Sequence, residues 1–350
     1  MRRKPHMLAG ALALSLLALT GCGSSVQEPS ASIFVICKSN DSYWDSVKAG
    51  AQEAGEEMNL RVLYDAPETE SDIDSQIKMI DNAVSAGADA IVLAPLDKDA
   101  LNEALERAKG ADVPILTIDS DVSFESRRSC ISTQNYSAGA IAARYVEGLH
   151  LGEGAAAIIT HSNTAQTAQE RTAGFLDELS GKDTTVSSTP QQAAAEAIPG
   201  LEKSNGSSAK SGLRVLESKN GESNVQQSRE AAVQLIRENS DLKLIYTTNL
   251  AGTMGACQAI EELGKANDVT LIGFDCFDGA DAYIESGVLD AVVTQNPYNM
   301  GYLGVRYARK ILRGEAVARE VDTGATLITA DNLHDEDIQF LIDPARKSTK

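Results

Sequence analysis

Residues 33–58 read IFVICKSNDSYWDSVKAGAQEAGEEM, and this stretch contains one complete strand-and-helix unit. Its first four residues, Ile33-Phe34-Val35-Ile36, are all apolar, which is typical of a short strand buried on both faces. From Tyr43 to Met58 the apolar residues recur at the spacing of one helix face. The stretch therefore predicts a buried strand, a polar loop and an amphipathic helix.

The same unit recurs along most of the chain, which predicts an α/β fold. The strands lack polar alternation, and this favours parallel sheets with helices on both faces. One sheet of about a dozen strands would be unusual, so we expect two Rossmann-like lobes, each with a parallel sheet. Further strands are predicted near Leu60–Tyr64, Ala90–Leu93, Pro114–Ile118, Cys130–Thr133, Ala155–Thr160, Leu213–Glu217, Leu244–Thr247, Thr270–Phe274 and Ala291–Thr294. Further helices are predicted near Ile73–Val84, Leu101–Ala108, Ser137–Leu149, Ala168–Leu179, Val225–Arg237, Thr253–Leu263, Ala280–Ser286 and Tyr302–Leu312, with Asp72 capping the first of these.

Residues 182–212 interrupt the alternation. Lys182–Gly212 is rich in Ser, Ala, Gln, Gly and Pro, and only Ala193–Ile198 has a weak helical pattern. A segment of this composition buries little apolar surface, so we predict a low-complexity surface insertion. A lid over a ligand cleft is the alternative interpretation.

The first residues have the pattern of an export signal. Arg2, Arg3 and Lys4 precede an apolar run from Met7 to Leu19, which is short for a permanent membrane span. The run ends in Leu19-Thr20-Gly21-Cys22, which resembles the bacterial lipobox, in which the cysteine is lipidated and becomes the new N-terminus. We therefore expect a signal peptide at 1–21, lipidation at Cys22 and a tether at 22–30, with the protein held on the extracytoplasmic face of the membrane. An ordinary cleaved signal with a chance cysteine is the alternative.

Charge and cysteine content exclude several classes of function. The 350 residues carry a formal net charge of −19, which disfavours nucleic-acid binding. Cys37, Cys130, Cys257 and Cys276 lie far apart, with no CxxC spacing and no histidine at ligand spacing. This argues against a zinc site, and we expect buried free thiols, no metal and no cofactor.

Polar and aromatic residues follow the predicted strands. Parallel sheets bind ligands beyond the carboxyl ends of their strands, where the loops converge. Carboxylates, amides and guanidinium groups there can pair with neighbouring hydroxyls, and aromatic rings can stack on the C–H faces of a sugar. This chemistry suits a neutral polyhydroxylated ligand, because an unpaired buried hydroxyl costs about 1–3 kcal/mol. The loop residues are Lys38, Asp41, Tyr43, Trp44, Asp119, Asp121, Arg171, Asn249, Asp275 and Gln295. His161 also follows a strand, but we expect it on the surface.

Several stretches, spread in order from about residue 32 to 345, resemble the type 1 periplasmic binding proteins of bacterial ABC importers, the class of the ribose- and galactose-binding proteins. The stretches include Asn40-Asp41-Ser42-Tyr43-Trp44, Gly87-Ala88-Asp89-Ala90-Ile91, Pro114 to Asp119, Asn135-Tyr136-Ser137-Ala138-Gly139, Gln169 to Phe175, Thr248-Asn249, Ile272-Gly273-Phe274-Asp275 and Thr294-Gln295-Asn296-Pro297. None of them is specific for one sugar.

The resemblance implies roles for particular residues. It places Tyr43 and Trp44 as stacking aromatics, and Phe274 as a ring that closes one side. It places Asp119, Arg171, Asn249, Asp275 and Gln295 at the polar contacts that hold hydroxyls.

The chain departs from the usual pattern at several positions, which include Ala94 and Ser120. Three of the departures are expected to reshape the pocket: Lys38, Asp41 and Asp121. A pocket with Lys38 and extra carboxylates is compatible with an amino sugar or a sugar acid.

The same resemblance implies a mechanism. The chain would cross three times between an N-terminal lobe, 31–133 plus 296–324, and a C-terminal lobe, 134–295 plus 325–345. A monosaccharide would bind in the cleft, the lobes would close about the hinge, and the closed monomer would deliver the sugar to an ABC transporter permease.

Two other functions stay open on the sequence. The first is a signalling receptor that passes a bound sugar, autoinducer or nucleoside signal to a sensor partner. The second is a hydrolase that uses Asp119 with Asp121 or Asp275 as an acid/base pair. No specific catalytic motif accompanies those carboxylates, so we do not expect an enzyme.

Replacing Cys22 tests the lipid anchor. We expect Cys22→Ser to abolish labelling by radioactive palmitate and to move the protein out of the membrane fraction, because the thiol that carries the acyl chains is gone. Cell fractionation and metabolic labelling measure both effects, and Cys37→Ser is the matched control. A wild-type chain that takes up no palmitate would contradict the anchor.

Overall fold

The structure, a computed structural model, describes residues 31–163, 165–182 and 212–342. The predicted signal peptide, Cys22 with the tether, and residues 183–211 of the predicted insertion lie outside these residues.

The strands alternate with helices, as the sequence predicts. In chain order the strands are β1 (Ser32–Ile36), β2 (Arg61–Asp65), β3 (Ala90–Leu93), β4 (Ile115–Ile118), β5 (Cys130–Ser132), β6 (Gly154–Thr160), β7 (Leu213–Val215), β8 (Lys219–Asn220), β9 (Leu242–Thr247), β10 (Thr270–Phe274), β11 (Ala291–Thr294), β12 (Glu320–Asp322) and β13 (Thr326–Thr329). The helices are α1 (Ser42–Met58), α2 (Ile73–Ser85), α3 (Asn102–Gly110), α4 (Asn135–Leu149), α5 (Gln166–Leu179), α6 (Val225–Glu238), α7 (Leu250–Leu263), α8 (Ala280–Glu285), α9 (Pro297–Leu312) and α10 (Glu336–Ile342).

The strands form two sheets, one in each lobe. The first sheet has the order β2-β1-β3-β4-β5-β12, and all its pairings are parallel. The second has the order β13-β11-β10-β9-β6-β7. The two-residue strand β8 also pairs with β6, further along β6 than β7 does. In this sheet β13 runs antiparallel to β11, and the other pairings are parallel.

Both faces of each sheet are covered by apolar clusters. In the first lobe, Val35 and Met300 lie in the cluster on one face, and Leu93 and Leu105 lie in the cluster on the other. The second lobe likewise has two clusters, one of which is built around Phe175. Burial on both faces is why the strand sequences are apolar without alternation.

The chain crosses between the lobes three times. After β5 it enters α4, which packs on α5 and the second sheet. After β11 it enters α9, which packs back on α1 and the first sheet. The third crossing joins β12 to β13. Asp322 ties the first crossing to the third, because its Oδ1 accepts hydrogen bonds from the backbone N–H groups of Gln134 (3.1 Å) and Gly324 (2.8 Å).

Two glycines let α1 and α9 meet backbone to backbone in the first lobe. A Cβ atom at Gly50 would lie 2.0 Å from the carbonyl oxygen of Tyr298, and one at Gly301 would lie 1.9 Å from that of Val47. The helices could not pack this closely with any larger residue at these positions.

The second lobe repeats this arrangement between α4 and α5. A Cβ atom at Gly139 would lie 2.0 Å from the carbonyl oxygen of Arg171, and one at Gly174 would lie 1.9 Å from that of Tyr136. The close approach fixes the backbone of Arg171 against α4.

The structure confirms the predicted α/β fold and the predicted cap of α2, and it differs from the prediction in where α9 begins. Helix α2 begins at Ile73, and the side chain of Asp72 caps it by accepting from Ser75 N at 3.0 Å. Helix α9 begins at Pro297 and not near Tyr302, because Asn296 caps it and proline suits the first helical turn. The elements β8, β12, β13 and α10 were not predicted.

The four cysteines within the described residues are free thiols, as expected, and Cys276 is the one that is partly exposed. Within the same residues, no helix is both long and apolar enough to cross a membrane.

Replacing one packing glycine should destabilise the fold. We expect Gly301→Ala to lower the free energy of unfolding by about 1–3 kcal/mol or more, because the added methyl group forces α1 and α9 apart. Gly148→Ala is the matched control, since a Cβ atom there has nothing within 4 Å. Urea denaturation measures both, and equal midpoints for the two variants would contradict the packing argument.

Candidate functional site

The carboxyl ends of the two sheets face each other across a cleft. Five of the predicted site residues form a group there, which we call the cleft group: Lys38, Asp119, Arg171, Asp275 and Gln295. A cavity of about 30 Å³ is lined from both sides, by Ser42 and Tyr43 of the first lobe and by Asp275 and Thr294 of the second. The geometry thus brings side chains distant in sequence to one place.

Asp119 follows β4 and is surrounded by hydrogen-bond donors. Its Oδ1 accepts from the hydroxyl of Tyr43 at 2.9 Å, and its Oδ2 accepts from Lys38 Nζ at 2.6 Å and Ser120 Oγ at 2.8 Å. Burial alone would raise the pKa of Asp119, but the charge and hydrogen bond of Lys38 outweigh it, so the pKa lies below its usual value. Asp119 is therefore an ionised carboxylate at neutral pH.

Asp275 follows β10 and is the counterpart of Asp119 in the second lobe. Both residues have left-handed backbone conformations, with φ of 64° for Asp275 and 63° for Asp119. Both backbone N–H groups donate to the neighbouring strand, Asp275 to Val293 at 2.8 Å and Asp119 to Ile131 at 3.0 Å. The same turn therefore aims a carboxylate into the cleft from each lobe.

The carboxylate of Asp275 is less well paired than that of Asp119. Gln295 Nε2 lies 3.2 Å from each of its oxygens, and the nearest nitrogen of Arg171 lies 3.8 Å away. Burial raises the pKa of Asp275 to about 6, against the opposing effects of Arg171 and Gln295. The Oε1 atom of Gln295 is buried without a hydrogen-bond partner among the described residues, so this oxygen can still accept a hydrogen bond.

Arg171 is held rigidly in the second lobe. Its Nε donates to Asn135 Oδ1 at 2.8 Å, and its Nη1 donates to the carbonyl oxygen of Thr248 at 2.8 Å. Its guanidinium carbon lies 3.8 Å from the centre of the Phe274 ring, a cation–π contact. These contacts fix the plane of the guanidinium group.

The two predicted aromatics have different surroundings. Tyr43 is half-buried and reaches Asp119 through its hydroxyl, whereas Trp44 is 2% exposed and packs in the core of the first lobe. The rings meet edge to face at 4.9 Å, and Lys38 Nζ lies 5.8 Å from the centre of the Trp44 ring. Trp44 thus supports Tyr43 and Lys38, and a direct ligand contact for it stays a prediction.

Asp41 and Asn249 are helix caps. Asp41 accepts from the backbone N–H groups of Tyr43 at 3.0 Å and Trp44 at 3.4 Å, and Asn249 accepts from Gly252 N at 2.9 Å. Each cap therefore orients the first turn of a helix at the cleft.

The structure does not place Asp121 in the cleft group. Its carboxylate accepts from Thr117 Oγ1 at 2.9 Å and pairs with Arg127, which also pairs with Glu320. Asp121, Cys130 and Glu320 lie close enough together to suggest a metal site, but the guanidinium group of Arg127 already neutralises both carboxylates. We leave Asp121 out of the proposed ligand set.

His161 belongs near the cleft group, contrary to the expected surface position. It follows β6 as Lys38 follows β1, and its ring nitrogens lie 2.8 Å from Thr248 Oγ1 and 3.2 Å from Thr167 Oγ1. Burial and the charges of Arg171 and Lys38 lower its pKa to about 3, so the imidazole is neutral at physiological pH. Its place directly after a strand was the available signal.

A sequence model of the periplasmic binding protein domain matches residues 32–316. The chain belongs to the periplasmic binding protein family. Its two mostly parallel sheets and three crossings are those of the type 1 class.

Individual relatives agree over most of their length. The ribose import binding protein of Bacillus subtilis is 26% identical over 291 residues, which are 83% of this chain and 84% of the relative. A carbohydrate transporter solute-binding protein from Agrobacterium radiobacter, solved with D-arabinose, is 30% identical, with a TM-score of 0.77 over 91% of this chain and 100% of its own. A transporter solute-binding protein from Agrobacterium vitis, solved with D-fucose, is 29% identical, with a TM-score of 0.74 over 88% of this chain and 98% of its own. By their names, these relatives are import or solute-binding proteins of transporters and not enzymes.

The raised pKa of Asp275 predicts a pH-dependent stability. A carboxyl group with a folded-state pKa of about 6 favours the folded state when protonated, and this contribution is lost as the pH rises through about 6. Asp275→Asn mimics the protonated form, so its stability relative to wild type should rise by about 2–3 kcal/mol between pH 4 and 8.

Urea denaturation across that pH range measures the difference between the two proteins. The exposed Asp278→Asn controls for the general effect of removing a negative charge. A difference between Asp275→Asn and wild type that stays constant with pH would show that Asp275 titrates normally.

Proposed function

We propose that the protein is the sugar receptor of an ABC importer, lipid-anchored at Cys22 on the extracytoplasmic face of the membrane. A monosaccharide binds between the lobes, which close about the three crossings, and the closed monomer then delivers the sugar to its permease. The proposed lobes are 31–133 plus 296–324 and 134–295 plus 325–345.

One observation carries this proposal: the two lobes present rigid, mostly paired polar groups to the same cleft. Lys38 and Asp119 come from one wall, and Arg171, Asp275 and Gln295 from the other. Planar donors and acceptors of this kind can pair with adjacent hydroxyls at fixed angles. Because they are held in place before the ligand arrives, little ordering entropy is lost on binding.

The relatives support a sugar as the ligand. The Bacillus subtilis protein is named for ribose, and the two Agrobacterium structures contain D-arabinose and D-fucose. These sugars share ring hydroxyls and differ in configuration or in size, so they support the ligand class and not one member of it.

The placement of the cleft group supports closure as the mechanism. Asp119 and Asp275 lie on opposite walls, and the charge of Asp119 acts on Asp275. A ligand that contacts both walls binds the closed arrangement better than the open one and therefore shifts the population toward it.

The hinge contacts suit such a motion. Each crossing is one segment of polypeptide. The hydrogen bonds from the N–H groups of Gln134 and Gly324 to Asp322 hold the first and third crossings next to each other. A few residues can then absorb the rotation while each lobe stays intact.

Calorimetric titration with pentoses and hexoses tests the ligand class. We expect at least one neutral monosaccharide to bind, and Arg171→Met to weaken it by about 100-fold or more, because a buried charged donor is lost. Arg144→Met, which removes an exposed guanidinium group of α4 paired with Glu178, is the matched control. Binding of a nucleoside with no heat from any sugar would contradict the proposal.

A further inference from the structure

His161 joins two threonines that belong to different segments of the second lobe. It follows β6, and its Nδ1 lies 2.8 Å from the hydroxyl of Thr248, in the loop between β9 and α7. Its Nε2 lies 3.2 Å from the hydroxyl of Thr167, in the first turn of α5. One imidazole therefore connects the end of β6, the start of α5 and the loop before α7.

The protons of this bridge can be assigned. The backbone N–H group of His161 donates to Thr248 Oγ1 at 3.0 Å, which leaves the hydroxyl proton of Thr248 for Nδ1. A neutral imidazole that accepts at Nδ1 carries its own proton on Nε2 and donates it to Thr167. Both ring nitrogens are thus used inside the protein, and no polar atom of the imidazole is left for a ligand.

Arg171 closes these contacts into a network. Thr167 and Arg171 are one helical turn apart on α5, so their side chains lie on the same face of the helix. Arg171 Nη1 donates to the carbonyl oxygen of Thr248 at 2.8 Å, and Thr248 returns to His161 through its hydroxyl. We call these four residues, His161, Thr167, Arg171 and Thr248, the His161 network.

We propose that His161 is a positioning residue for Arg171, which acts by holding the carbonyl group of Thr248 in place. This role rests on the proposed function, in which Arg171 binds a hydroxyl of the sugar. It assigns to His161 an effect on binding that needs no contact with the ligand.

The contacts of Arg171 show why the carbonyl group matters. The guanidinium group stacks 3.8 Å from the centre of the Phe274 ring, and a stacked group can still turn in its own plane. The bond from Nε to Asn135 Oδ1 at 2.8 Å holds one edge, and the bond from Nη1 to Thr248 stops the turn. The direction of the remaining donors toward the cleft therefore depends on where the Thr248 carbonyl lies.

The position of Thr248 depends in turn on His161. Thr248 is fully buried and follows β9, where its backbone N–H group still donates to Ile159 at 3.2 Å. Its carbonyl group is directed away from the sheet, to Arg171, and the hydroxyl is the anchor on its own side chain. Without the imidazole, that hydroxyl keeps only the backbone N–H group of residue 161. The loop is then less constrained, and more ordering is needed when a ligand binds.

Hydrogen exchange of the Arg171 Nε–H group tests the positioning directly. Nuclear magnetic resonance of ¹⁵N-labelled protein measures it, and the signal is assigned by its loss in Arg171→Met. We expect exchange to become about tenfold faster or more in His161→Leu and in Thr248→Val, because each variant removes the link between the two residues.

Thr172→Val is the matched control for the exchange measurement. Thr172 is 4% exposed and lies next to Arg171 on α5, but it is not part of the His161 network. Exchange in this variant should stay as in the wild type. An unchanged exchange rate in both His161→Leu and Thr248→Val overturns the positioning role, whether or not any sugar binds.

Calorimetric titration with the tightest neutral sugar of the panel tests the effect on binding. We expect His161→Leu to weaken binding by about tenfold. His161→Asn should recover part of this loss, because its amide oxygen can accept from the Thr248 hydroxyl in place of Nδ1. In an Arg171→Met background, His161→Leu should cost less than about twofold more, because its effect passes through Arg171.

The outcomes separate this inference from the proposed function. A tenfold loss that persists in the Arg171→Met background would show that His161 contacts the sugar itself, and it would overturn the positioning role. A wild-type protein that binds no neutral sugar overturns the proposed function, while the exchange rates still decide whether His161 holds Arg171.

Discussion

The site depends on neutralising charged groups that the fold buries at the meeting edges of two sheets. Parallel strands send all their following loops to one edge, so Asp119 and Asp275 come to face each other inside the molecule. Carboxylates in such a place are costly unless cations and donors accompany them. Lys38 and Tyr43 stabilise the first, and Arg171 and Gln295 only partly stabilise the second. This difference gives the two walls their different chemistry.

The lobes are built on one plan. Asp119 corresponds to Asp275, and Lys38 to His161, in position after equivalent strands. The helix pairs α1–α9 and α4–α5 both approach through paired glycines. In each lobe one helix of the pair arrives from the other lobe across a crossing, so the packing that stabilises a lobe also joins it to its partner. Rotation about the crossings can then occur without unpacking either core.

Much of the fold and part of the site could be predicted from the sequence. Apolar strand segments and the periodic helix faces predicted most elements, because burial on two faces requires that composition. The residues of the cleft group were all named from their positions after strands. Asp121 and His161 show what this reasoning leaves out. Asp121 also follows β4, but its carboxylate pairs with Arg127 and lies outside the cleft group. Arg127 was not among the residues predicted for the site. His161 was expected on the surface because the histidines show no partner at a ligand spacing in the sequence.

The sequence by itself determined the α/β class, the division into two sheets, and the set of polar residues available at the strand ends. These three features follow from local composition and from the direction of the parallel strands. Both depend on residues that are neighbours in the sequence. Only the tertiary structure decided which charges pair. Lys38 and Asp119 lie 81 residues apart in the sequence, yet Lys38 Nζ and Asp119 Oδ2 are 2.6 Å apart in the folded chain. It also decided that Trp44 is core while Tyr43 reaches the cleft, since adjacent residues on a helix point in different directions. Pairing and burial depend on contacts between distant segments, and a sequence pattern does not contain those distances.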